Sequence, residues 1–126
     1  MRSLLSVLAC TAVLSAQAES SGPQASVRLL VQSSALAGFR YAEAAEVWAH
    51  LAAGEPLELV REPDNPHDAN AVRVEWRGRK LGYVPRSENG ALAWAMDRGE
   101  VLRARVSRLA EHRNPRRRLE FEVYME

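Results

Sequence analysis

Val60-Arg61-Glu62-Pro63-Asp64-Asn65-Pro66-His67-Asp68-Ala69-Asn70-Ala71-Val72-Arg73-Val74-Glu75-Trp76-Arg77-Gly78-Arg79-Lys80-Leu81-Gly82-Tyr83-Val84-Pro85 sets the architecture of this 126-residue chain. Pro63 and Pro66 bracket Asp64-Asn65. Their fixed φ and missing N–H exclude helix and make a tight polar loop. Beyond it Val72, Val74 and Trp76 alternate with Arg73, Glu75 and Arg77, the period of a half-buried strand. Arg77-Gly78 reads as a hairpin turn and Leu81-Gly82-Tyr83-Val84 as the returning strand. The loop holds Asp64, Asn65, His67, Asp68 and Asn70 within seven positions, more polar chemistry than a connection needs.

Upstream, Val27, Leu29 and Val31 alternate with Arg28, Leu30 and Gln32, which predicts a first strand with one apolar face. Ala37-Gly38-Phe39-Arg40-Tyr41 follows as a loop or short strand. Residues 43–51 read as a helix, with Ala44, Val47, Trp48 and Leu51 on one stripe, His50 bland near its last turn and Gly54 as its stop. Residues 56–61 make a strand with Leu57 and Leu59 on one face. Downstream, Ser87 is the expected N-cap of a second helix over 88–98. That helix buries Ala91, Leu92, Ala95 and Met96 and ends at Gly99. Residues 101–109 form a strand with Leu102, Ala104 and Val106 pointing one way. A loop over 111–116 leads to a last strand with Leu119, Phe121 and Val123 on its inner face. The sum is a mainly β fold, a small antiparallel β-barrel of about six strands with two α-helices.

The composition is 47% hydrophobic and 26% charged, that of an ordinary single globular domain. Residues 1–18 stand apart. Met1-Arg2 is a short positive start, an apolar run follows, and Ser15-Ala16-Gln17-Ala18 ends in an A-x-A pattern. These are the marks of a secretory signal peptide cleaved before Glu19, and export to the periplasm or medium is expected. Val7-Leu8-Ala9-Cys10 offers lipidation at Cys10 as a less favoured alternative. Residues 19–25 are a flexible spacer and 26–126 the domain. Cys10 is the only cysteine, so the mature chain has no disulfide framework, thiolate zinc site or cysteine nucleophile. The chain carries 17 basic and 16 acidic residues; loss of Arg2 with the leader leaves a neutral domain. It is bipolar, with eight arginines between Arg98 and Arg118 against Glu100 and Glu111.

The central stretch, from Arg61-Glu62-Pro63-Asp64-Asn65-Pro66-His67-Asp68-Ala69-Asn70-Ala71-Val72 to Gly82-Tyr83-Val84-Pro85-Arg86, resembles the signature of the HIRAN domain. Ala37-Gly38-Phe39-Arg40-Tyr41 resembles its opening motif, and Asn89-Gly90-Ala91-Leu92-Ala93 its helix. The resemblance covers roughly residues 26–124 and implies a compact OB-like antiparallel barrel with two helices. It also implies a pocket for the 3′-hydroxyl end of single-stranded DNA, as in HIRAN domains fused to DNA-remodelling helicases. On that pattern Arg40-Tyr41 match the motif's arginine and tyrosine. Asp68 matches the carboxylate that accepts from the sugar hydroxyl, and Arg86 stands where a basic residue contacts phosphate. His67 replaces a stacking tyrosine, and Tyr83 stands where histidine is frequent. Arg116-Arg117-Arg118 occupy the region where a second stacking aromatic is expected.

The residue chemistry fits a terminal nucleotide independently of the resemblance. A base needs a flat partner, a sugar hydroxyl an acceptor and a phosphate a cation; Arg40, Tyr41, His67, Asp68, Tyr83 and Arg86 supply these types. Each also has a structural role open to it. Asp64, Asn65 and Asn70 suit side-chain caps of their own loop, Asp68 can pin that loop, and Tyr41 and Tyr83 can pack the barrel rim. The chain lacks a nucleophile elbow, a P-loop, an H-E-x-x-H helix and Cys/His zinc spacing. No cofactor, transition metal or catalytic residue is expected. Two alternatives to a non-enzymatic binder of single-stranded nucleic acid or a nucleotide-like anion stay open. One is a metal-dependent phosphoester hydrolase using Asp64, His67, Asp68 and Asn70. The other is a periplasmic protein-interaction module that has lost the nucleic acid.

Overall fold

The computed structural model describes residues 28–38 and 46–125, the side chain of Arg116 aside. The leader, the spacer, the Arg40-Tyr41 pair and the first part of the 43–51 helix lie outside the described residues. Six strands form one antiparallel sheet: β1 (Leu29–Ala35), β2 (Pro56–Arg61), β3 (Val72–Trp76), β4 (Arg79–Tyr83), β5 (Arg103–Leu109) and β6 (Leu119–Met125). Their spatial order is β1-β6-β5-β2-β3-β4. Helix α1 (Gly90–Asp97) follows β4, and a 3-10 turn (Pro115–Arg117) precedes β6. Of the first expected helix, residues 46–48 are helical, and Gly54 beyond them sits at φ +90, a conformation that favours glycine.

The sheet curls until its two edges meet. Ala37, just past β1, exchanges hydrogen bonds with Tyr83 at the end of β4: Ala37 N to Tyr83 O at 2.9 Å and Tyr83 N to Ala37 O at 2.8 Å. This is one bridge and not a continued ladder, so the barrel is incompletely closed, in keeping with an OB-like fold. Gly82 makes the approach possible. A Cβ there would lie 2.3 Å from Ala37 O, against backbone that cannot step aside. The turn at Arg77-Gly78 has φ of +47 and +80, both positive as a two-residue hairpin of the favoured twist demands.

The core lies inside the curl. Leu119, Phe121 and Val123 of β6 are fully buried, as expected from their alternation, and Val72, Val74 and Val106 join them. β1 departs from expectation. Leu29 and Leu30 are 62% exposed and Val31 42%. The register shifts between Leu30 and Gln32, and this bulge flips the alternation. Ser34 and Leu36 therefore turn inward in place of Leu29 and Val31.

Helix α1 corrects a second expectation. Its N-cap position is Asn89, not Ser87, because Glu88 N closes a turn onto Pro85 O at 2.9 Å and delays the helix. Leu92 and Ala93 are its buried residues; Ala91 is exposed, and Met96 packs partly. His50 is exposed, and its ring stacks on Trp76 with centroids 6.5 Å apart. Among the described residues no helix is long and apolar enough to cross a membrane.

Candidate functional site

The proline-bracketed loop is built from three successive tight turns. Asn65 N bonds to Glu62 O at 3.2 Å, Asp68 N to Asn65 O at 3.3 Å, and Ala71 N to Asp68 O at 3.1 Å. Glu62 N to Ala71 O, at 2.9 Å, ties the two ends. Side chains reinforce each step, as short polar residues do in turns. Asn65 Oδ1 accepts from His67 N at 2.9 Å and Asp68 N at 3.3 Å, while Asp68 Oδ1 accepts from Asn70 N at 2.9 Å.

Glu62 holds the loop to the sheet. Its carboxylate accepts from Asn65 Nδ2 at 2.9 Å, the Tyr83 hydroxyl at 3.0 Å and Arg73 at 2.6 Å. Burial pushes its pKa up, but the hydrogen bonds from Asn65 and Tyr83 and the charge of Arg73 outweigh this and hold it below the ordinary 4.5. One carboxylate thereby holds both the loop and the Tyr83 hydroxyl. Arg61 completes the frame. It donates to Ala71 O at 3.1 Å and grips Asp97 of α1 through two nitrogens, at 3.0 and 3.2 Å.

Asp68 reaches from the loop to the helix. Its Oδ2 accepts from Asn89 Nδ2 at 2.7 Å. The Asn70 N–H first, then the Asn89 amide, then the charges of Arg86 and Arg61 hold its pKa below the ordinary 3.8. Asp68 thus pins the loop, and each oxygen retains a lone pair for a further donor.

Loop, β4 and the chain end of β1 enclose a cleft of about 370 Å³. Four of the expected site residues line it together: His67, Asp68, Tyr83 and Arg86. Ala37, Ala71 and Val84 give it an apolar wall. Arg40 and Tyr41 lie outside the described residues. Lys80 also lines the cleft, with its Nζ 4.6 Å from the centroid of the Tyr83 ring. The sequence reading passed over Lys80, Glu62 and Asn89. Lys80 could have been found as the chain's one lysine, two residues from Gly82; Glu62 and Asn89 stand inside the stretches that carry the family resemblance, but their contacts with Tyr83 and Asp68 are long-range and gave them no role in the sequence. Arg86 is exposed and forms no ion pair among the described residues. Asp64 and Asn70 lie exposed on the loop. Among the described residues, no group of three or more His, Cys, Asp and Glu side chains is placed to hold a metal ion.

The chain has relatives of known structure. A crystal structure of a protein from Lactobacillus plantarum superposes with a TM-score of 0.68 at 28% identity, over 78% of this chain and 94% of that one. The crystal structure of the HIRAN domain of human HLTF shares the fold, with a TM-score of 0.52 at 22% identity, over 79% and 80% of the two chains. In sequence, 44 residues are 43% identical to the helicase-like transcription factor of Oryctolagus cuniculus. They are 34% of this chain and 4% of that protein, so the chain spans a small fraction of this relative's length. The HIRAN domain family model matches residues 29–126, and the chain belongs to the HIRAN domain family.

Proposed function

We propose that this domain is a non-enzymatic binder of single-stranded nucleic acid, and that the cleft between the Asp64–Asn70 loop and β4 receives the 3′ end of a DNA strand. One observation carries this: Tyr83, His67, Lys80, Arg86 and Asp68 face a single cleft on a rigid frame. The rings of Tyr83 and His67 suit a base, the cations of Lys80 and Arg86 suit phosphate, and the Asp68 carboxylate suits a sugar hydroxyl. The frame is rigid because Glu62, Asn65 and Asn89 occupy the polar groups that would otherwise relax around a ligand. The family's presence in a helicase-like transcription factor agrees with a nucleic-acid ligand.

The test is binding of fluorescent single-stranded oligonucleotides with free or phosphorylated 3′ ends. Preference for the free hydroxyl is the expected result, since a phosphate would be repelled by Asp68. Absence of binding at low salt overturns the proposal and transfers the weight to a protein partner. The signal-peptide pattern of residues 1–18 supports export, and an exported domain would meet free DNA ends and other nucleotide-like anions. N-terminal mass analysis of the protein from its secreting host tests that part; a chain retaining Met1 contradicts it.

A further inference from the structure

The large apolar side chains that the domain leaves in water are not scattered. Among the described residues they are Leu29, Leu30, Val31, Trp94 and Val101, with Trp94 61% and Val101 69% exposed. The fold brings their segments together. Gln32 and Ser33 of β1 share a hollow with Gly90 and Ala91 at the start of α1, and the Gln32 amide donates to Glu88 O at 3.1 Å. Leu29, Leu30 and Val31 directly precede Gln32, and Trp94 stands one helical turn beyond Gly90 and Ala91 on the same face of α1. Val101 leads into β5, whose first residue, Arg103, lies level with Leu30 across Tyr124. None of these apolar side chains lines the cleft at Asp68. They project from the surface as a crest along the start of β1 and the outer face of α1.

Cations stand among them. Arg28 adjoins Leu29 in the chain, with its guanidinium 5.0 Å from the centroid of the Tyr124 ring. Arg98 lies 3.7 Å over the Trp94 ring, and Arg103 is exposed. Of the nearby acids, Glu100 is paired with Arg98 and Asp97 with Arg61, while Glu88 stands at the opposite end of α1. Tryptophan and aliphatic groups interleaved with arginine suit the boundary of a lipid bilayer: the apolar groups enter it and the guanidiniums stay with the phosphates. The point of chain entry agrees. Residues 1–27 join the domain at Arg28, and they include the apolar run over 4–14 that carries the export pattern. A second copy fits less well, because a two-fold contact would set Arg28, Arg98 and Arg103 against their own counterparts. The bulge between Leu30 and Gln32 also interrupts the edge that a strand partner would extend. We propose that this crest seats the domain on an anionic lipid surface. Leu29, Leu30, Trp94 and Val101 enter the interface, and Arg28, Arg98 and Arg103 meet the headgroups. The domain lies on the bilayer without crossing it, and the cleft stays open, since the crest contains none of its lining residues.

The experiment mixes the full chain with phosphatidylglycerol vesicles brominated on their acyl chains, which quench a tryptophan only where it enters the bilayer. The chain has three tryptophans, and residues 1–27 hold none of them, so insertion of the leader alone leaves the fluorescence unchanged. Wild type should be quenched, and Trp94→Phe should lose most of that quenching. Brominated phosphatidylcholine should act more weakly, and high salt should weaken the response to phosphatidylglycerol. A double variant, Leu30→Asp with Val101→Asp, changes two exposed positions and should melt near wild type and keep its oligonucleotide binding. It should need roughly tenfold or more lipid for half-quenching, because the burial of two aliphatic side chains is lost. The proposal is overturned if wild type is not quenched, if Trp94→Phe keeps the quenching, or if the double variant responds as wild type does. Equal quenching by the two lipids overturns its anionic part. A dimer in sedimentation that the double variant abolishes, with no quenching by lipid, makes a second copy the occupant instead. The nucleic-acid function is measured separately by oligonucleotide binding, so it stands or falls independently of these results.

Discussion

Asn89 Nδ2 donates to Asp68 Oδ2 at 2.7 Å, across 21 residues of sequence. Asn89 is 2% exposed and stands at the N-cap position of α1, yet its side chain makes no capping hydrogen bond. It serves the loop in place of the helix. The loop's acid is therefore aimed by the helix, and the helix is seated by the loop.

Asn89→Asp should be more harmful than Asn89→Ala. The aspartate places a second carboxylate on the first, and like charges at that separation cannot both stay ionised without cost. Thermal melts should show the Asp variant recovering stability as pH falls toward 4 and the Ala variant not doing so. Equal pH profiles for the two would refute the contact.

Asp68→Asn should also lower the melting temperature, because an amide cannot accept from both the Asn70 N–H and the Asn89 amide. Its nitrogen would face one of these two donors. Preference for a free 3′ hydroxyl should fall with it. A variant that melts as wild type does and still loses end preference would show that Asp68 serves the ligand alone.

The sequence made legible those elements whose pattern is local. The alternation in β3 and β6 and the Arg77-Gly78 turn are each settled by neighbours within a few residues, and each stands as expected. The strand β1 was legible but its faces were not, because a single bulge near Val31 inverts them and no local pattern marks a bulge. The start of α1 was misplaced at Ser87 because its competitor, the turn closing on Pro85 O, leaves Asn89 to begin the helix. Of the candidate site residues named from residue type and the family resemblance, His67, Asp68, Tyr83 and Arg86 line one cleft, while Arg40 and Tyr41 lie outside the described residues. Glu62 and Asn89 were not named, since their roles come from contacts made across 21 residues.

Gly82→Ala should be destabilising by about 1–3 kcal/mol, the usual cost of forcing atoms into filled space. A methyl group cannot occupy a point 2.3 Å from Ala37 O, so the bridge between β1 and β4 must open. Chemical denaturation gives the energy. Hydrogen exchange should show the Ala37 and Tyr83 amides losing protection before the amides of β5 and β6. Unchanged exchange at those two amides would remove the seam from the account.

Glu62 and Asp68 give the domain an acid limit. Both have folded-state pKa values below the ordinary 4.5 and 3.8. A depressed carboxylate stabilises the fold fully above its unfolded value, and the contribution is lost as pH falls through the folded one. Stability should therefore hold from neutral pH to about 5 and decline below that. Glu62→Gln should cost about 1–3 kcal/mol at pH 7, by weakening the bonds from Arg73 and Tyr83 to a charged acceptor. It should also flatten the acid decline. A variant declining as steeply as wild type would show that Glu62 contributes nothing to the pH dependence.

Arg86 carries the last prediction, because it separates a positioning contact from a discriminating one. Its guanidinium is exposed, lines the cleft and forms no ion pair among the described residues, and its charge is a smaller support of the Asp68 carboxylate than the Asn70 N–H and the Asn89 amide. Arg86→Ala should leave the melting temperature nearly unchanged. Against single strands it should weaken free and phosphorylated 3′ ends alike, since a phosphate contact fixes register without reading identity. The slope of log affinity against log salt should become shallower by roughly 0.7, the counterion release of one phosphate on a single strand. Titrations at several salt concentrations measure that slope directly. An unchanged slope would place the phosphate elsewhere. A loss confined to free ends would instead make Arg86 part of the terminal-hydroxyl site.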